Sequence, residues 1–75
     1  MNIDLISNAE VRNFVKSFES ISSVRLADGG CDVFLDTSFI TPNMIKNLYN
    51  NKYFTLIEAV ASYRYEIVII ISFRY

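Results

Sequence analysis

From Tyr65 to Tyr75 every odd position is apolar: Tyr65, Ile67, Ile69, Ile71, Phe73 and Tyr75. The even positions Glu66, Val68, Ile70, Ser72 and Arg74 are polar toward the ends and apolar between. A period of two carried by β-branched and aromatic side chains reads as a strand. Apolar residues on both sides of its centre place that strand inside a sheet. At ~3.3 Å per residue, residues 65–75 would span roughly 36 Å. A globule of 75 residues has an expected radius of gyration of about 11 Å, hence a diameter of ~29 Å. The strand outruns its own domain. Either it bends back through a bulge, or residues 71–75 project and pair with another chain.

The preceding sequence supplies the rest of the sheet and its cover. Ser7 with Glu10 three residues later has the pattern of a capping box. Behind it Val11, Phe14, Val15 and Phe18 recur at helical spacing, which predicts a helix over residues 9–20. Ser22 and Ser23 end it, and Val24 and Leu26 alternate with polar neighbours as a short strand. Asp28-Gly29-Gly30 tolerates positive φ and marks a tight turn. Cys31, Val33 and Leu35 then form the inward parity of a return strand, with Asp32 and Asp36 on the solvent face. Thr41-Pro42 opens a second helix, threonine as N-cap and proline at the first helical position. Met44, Ile45, Leu48 and Tyr49 are its expected buried stripe, and Asn50-Asn51 its left-handed end.

Residues 53–61 are ambiguous between strand and a helix over 56–63, since Thr55 and Glu58 also resemble a capping box. An internal repeat favours the strand. Leu26-Ala27 with residues 31–35 aligns with Val60-Ala61 and residues 65–69, and residues 14–18 align with 44–48. The chain then reads as one α+β domain over residues 1–75, a two-layer sandwich. Two α-β-β units contribute four antiparallel strands, with both helices on one face.

Composition limits the function. The chain has no histidine and one cysteine, Cys31, which removes the commonest zinc ligand and general base. Cys31 has no partner for a disulfide or a nucleophile–base pair, so it is expected to be a core thiol in a reducing, cytoplasmic setting. The spacing of Asp28, Asp32 and Asp36 fits no metal loop, and Gly29-Gly30 precedes a strand and so cradles no phosphate. No catalytic residue, cofactor or metal ligand is expected. Glu58, Arg64 and Glu66 interrupt the apolar C-terminal region, which excludes a spanning helix, and Asp4 is foreign to a signal peptide. Abundant isoleucine, asparagine and tyrosine match an AT-rich genome such as that of a virus or mobile element.

Association is what remains. With 52% apolar and 15% aromatic residues, so small a chain leaves apolar surface for a partner. The leading expectation is a small intracellular protein–protein interaction module that binds a larger protein. Homodimerisation is expected through the C-terminal strand, with Tyr63, Arg64, Tyr65, Phe73, Arg74 and Tyr75 at the interface. Burying two aromatics per chain would contribute roughly 3–6 kcal/mol before the entropic cost of association. The alternative is nucleic-acid binding by Asn51, Lys52, Tyr53, Arg64 and Arg74 gathered at one sheet edge. A net charge of −1 opposes it by providing no long-range field.

Overall fold

The computed structural model describes residues 2–75 and arranges them as α1 (Ala9–Lys16), β1 (Ile21–Ala27), β2 (Gly30–Asp36), α2 (Pro42–Tyr49), β3 (Phe54–Ala61) and β4 (Ile67–Arg74). Short 3-10 turns, Asn2–Leu5 and Thr37–Phe39, precede α1 and α2. The strands form one antiparallel sheet in the order β1-β2-β4-β3. This is the α+β fold of two α-β-β units expected from the sequence, and residues 54–61 are a strand, not a helix.

The core lies between the helices and one face of the sheet. Val11 and Val15 from α1 and Leu48 from α2 meet Val24, Cys31, Val33, Leu35, Ile71 and Phe73, and all are buried. Every core residue of β2 and β4 is odd-numbered, so one parity of each strand supplies the interior. Phe73 joins the layers: its ring meets Phe14 of α1 at 5.9 Å and Phe54 of β3 at 6.5 Å, both edge-on.

Several local expectations are corrected. The N-cap of α1 is Asn8, not Ser7: its side-chain oxygen accepts the Val11 N–H at 3.0 Å. The helix stops at Lys16 because Ser17 takes over as C-cap, its hydroxyl donating to the Phe14 carbonyl. Ser22 and Ser23 belong to β1, at a register shift. Thr41 does cap α2, accepting from Met44 N–H. Tyr49 is 70% exposed, and Asn50 ends the helix in right-handed geometry with φ −87°. Only Gly29 in the first turn has positive φ, 70°.

The excess strand length is resolved by a turn. β4 has eight residues, about 26 Å at ~3.3 Å each, and fits a body of 33 × 25 × 19 Å. Tyr65, aligned with Cys31 in the sequence repeat, lies in the β3–β4 turn with φ 62°. That connection uses residues 62–66, whereas residues 28 and 29 suffice between β1 and β2. The repeat is present in the architecture, but the longer second turn shifts its residue correspondence. Residues 71–75 do not project. β4 is a central strand paired to β2 on one side and β3 on the other, and the Tyr75 N–H donates to the Gly29 carbonyl at 2.7 Å.

Candidate functional site

The face of the sheet opposite the helices carries the even positions of β2 and β4. Phe34 pairs with Ile70, Ile70 with Glu58, and Val68 with Val60. Leu56, 49% exposed, pairs with Ser72 at the next even position. Phe34, Leu56, Val60, Val68 and Ile70 thus form an apolar patch across three strands. None of them belongs to the core or packs against it.

A charged cluster borders the patch. Asp32 lies on this face yet is only 4% exposed, because two guanidinium groups cover it. Arg25 donates to Asp32 Oδ2 through Nη2 at 2.9 Å and Nε at 3.2 Å. Arg74 donates to Oδ1 through Nη1 and Nη2, each at 3.2 Å. Arg74 Nη1 also donates to the carbonyls of Phe73 (2.7 Å) and Cys31 (3.2 Å). The Arg25 guanidinium stands 5.5 Å from the Phe34 ring centroid, so the cluster continues into the apolar patch.

The sequence assigned Asp32 to keeping a strand face soluble; the structure makes it the buried anchor of two arginines. Burial alone would raise its carboxyl pKa. Hydrogen bonds from Arg25, Ser72 and Arg74 outweigh that and hold it below the ordinary carboxylate value. A carboxyl depressed in the folded state binds its proton more readily when unfolded. Its stabilisation is complete above the unfolded value of ~3.9 and is lost as pH falls through the lower folded value. Urea midpoints measured from about pH 7 down to about pH 2 are therefore expected to drop less in Asp32→Asn than in the parent chain. Parallel pH profiles would contradict this. Asp4, bonded to Lys16, and Asp36, bonded to the Ser38 N–H, are also held low, but both are exposed and common to parent and variant.

The residues singled out by sequence fall into two groups at opposite ends of β4. Phe73 is fully buried and unavailable as an interface residue. Arg74 is held on Asp32, and Tyr75 is half-buried with its ring edge-on to Tyr53 at 6.2 Å. Tyr63 and Tyr65 are 87% and 91% exposed at the β3–β4 turn. There the Arg64 guanidinium lies 5.6 Å from the Tyr63 ring centroid. Ser62 organises this tip, its hydroxyl accepting the N–H groups of Arg64 and Glu66.

The nucleic-acid set is divided in the same way. Asn51, Lys52 and Tyr53 lie beside Arg74, whose N–H donates to the Tyr53 carbonyl at 2.9 Å. Arg64 is at the other end of β3, and the expected gathering of basic residues does not occur.

Cys31 is buried, and its thiol is pushed up first by burial and then by the charge of Asp32, the opposite of what a reactive thiol requires. Among the described residues no cluster of three metal-ligating side chains is found, and no helix is long and apolar enough to cross a membrane. A cleft of about 270 Å³ separates α1 from the start of α2, walled by Phe14, Phe18, Phe39 and Met44, with Glu19 its one ionisable lining residue. Compared with family models, curated proteins and solved structures, the chain matches none.

Proposed function

We propose that this chain is a small protein-binding module that docks on a larger protein through the open face of its sheet. The observation that carries this reading is the patch of Phe34, Leu56, Val60, Val68 and Ile70, separate from the core and bordered by two arginines fixed on Asp32. Apolar anchors with an ordered arginine rim are what protein interfaces select. Because the Asp32 ion pairs already order Arg25 and Arg74, a partner has less side-chain entropy to overcome on binding. The buried, unpaired thiol suits a reducing compartment, and we place the module in the cytoplasm on that ground.

Nucleic-acid binding has less to support it. Arg25 and Arg74 share the carboxylate of Asp32, which leaves that cluster a net charge of only +1, and Arg64 stands a strand's length away. The test is capture of partners by the tagged chain from extracts of its native cells, beside the variant Val68→Lys. Val68 is outside the core, so the variant is expected to keep the parent's circular dichroism spectrum and to lose at least about tenfold in captured protein, as a charge placed within the apolar patch requires. Undiminished capture by a folded Val68→Lys would overturn the open-face reading. Salt-sensitive retention of DNA or RNA in a gel-shift titration would replace it with the nucleic-acid one.

A further inference from the structure

The geometry points to a second site, the outer edge of β3, as a strand-pairing surface for a second copy of this chain. The direction of each backbone group follows from the register. The Ser62 N–H donates to the Glu66 carbonyl at 2.8 Å, which makes 62 and 66 a hydrogen-bonded pair. The same register runs through Ala61–Ile67, Val60–Val68, Ala59–Ile69, Glu58–Ile70 and Ile57–Ile71. Hydrogen-bonded and non-bonded pairs alternate in an antiparallel ladder. Val60 and Glu58 therefore bond to β4, and Ala61, Ala59 and Ile57 turn their N–H and C=O groups outward. The opposite side of β4 agrees: the Tyr75–Gly29 bond gives the odd residues of β4 to β2 and leaves the even ones to β3.

Among the described residues no side chain or loop backbone bonds to those outward groups. The other edge of the sheet is protected. β1 carries Arg25 and a register shift, and the N-terminal 3-10 turn packs on it, with Asn2 Nδ2 reaching the Val24 carbonyl at 3.4 Å. β3 has a register shift only at its start, between Phe54 and Leu56. From Leu56 to Ala61 it has no proline and one charge, Glu58. Edges without such protection pair with other strands.

A second copy is the occupant that fits, because the edge complements itself. With a two-fold axis through Ala59, Ala59 opposes itself and Ile57 opposes Ala61 of the second copy. Three hydrogen-bonded residue pairs then form, with about six bonds between copies. Glu58 opposes Val60 of the second copy, so no like charges face each other. The exposed tip at 63–65 comes level with residues 53–55 of the second copy, beside Tyr53 and Phe54. The product is a continuous eight-stranded sheet whose open faces merge across Leu56 and Val60. This differs from pairing through the C-terminal strand, whose two sides are already occupied.

Sedimentation equilibrium with cysteine trapping tests the inference independently of the larger partner. The parent chain is expected to sediment as a dimer of the 8.7 kDa protomer at micromolar concentration. Ala59→Cys, placed on the axis, brings two thiols onto a pair with Cα atoms about 5.5 Å apart, within disulfide range. Ala61→Cys separates its two copies by four residues of strand, roughly 13 Å. Mild oxidation is expected to cross-link Ala59→Cys at least about tenfold faster than Ala61→Cys, the native Cys31 being buried. A monomeric parent chain overturns the inference. So does a dimer in which the two variants cross-link equally, since it would form through another surface.

Discussion

Replacing Phe73 with alanine is expected to leave about half or more of the population unfolded at 25 °C. The ring is fully buried and contacts both Phe14 on α1 and Phe54 on β3, so it closes the interior between the layers. A buried Phe→Ala change costs about 3–5 kcal/mol. A core of this size without a disulfide supplies about 3–5 kcal/mol in total. The two quantities are equal within their spread, so the variant loses its cooperative melt. Thermal unfolding followed by near-ultraviolet circular dichroism reads this directly. A folded Phe73→Ala, melting within a few degrees of the parent, would mean that the helical layer does not depend on this ring.

Gly30→Ala is expected to destabilise by about 1–3 kcal/mol, the usual range for forcing an atom into a packed site. Here the cause is steric. Gly30 opens β2 opposite Arg74, and an added Cβ would overlap the Phe73 carbonyl oxygen and lie 2.7 Å from Arg74 Cδ and 2.8 Å from its Nη1. The carbonyl belongs to a strand paired on both sides and has little room to move. The Arg74 side chain can move, but only by leaving Asp32. Gly30→Ala should therefore also weaken the acid dependence contributed by Asp32, a coupling that a mere loss of strand propensity would not produce. Urea midpoints at neutral and acid pH measure both effects. Gly29→Ala makes a useful contrast, because its cost comes from a φ of 70° with the nearest new contact at 3.3 Å from the Tyr75 carbonyl. A Gly30→Ala variant as stable as the parent would show that Arg74 does not occupy the space above Gly30.

The period-two pattern of residues 67–74 and the helical spacing of Val11 and Val15 identify their elements because each is a property of a few neighbouring residues. The cap at Thr41 is legible for the same reason. Arg25–Asp32 was also within reach: a turn at Asp28-Gly29 that pairs Ala27 with Gly30 places residues 25 and 32 opposite each other. The turn at Tyr65 was not. Left-handed geometry is unfavourable for a tyrosine by about 1–2 kcal/mol, and nothing local announces it. Ser62 and the flanking strands impose that conformation, and with it the shortening of β4.

Sequence alone determined the two helices, the strands β1, β2 and β4, the inward parity of Cys31, Val33 and Leu35, and the central position of β4, while β3 rested on the internal repeat. Those follow from side-chain periodicity, which is local. Tertiary structure alone decided that Asp32 is buried and that Arg74 is its second partner. It also decided that Phe73 closes the core and that the open edge of the sheet belongs to β3. The Phe73 contacts follow from helix and β3 packing, and the open edge from the strand order; the Asp32–Arg74 pair depends on the register between β2 and β4, which joins residues 42 positions apart. No short-range rule sets that register. It is settled where the apolar faces of both hairpins are buried under the two helices and Gly30 gives the Arg74 side chain room to cross.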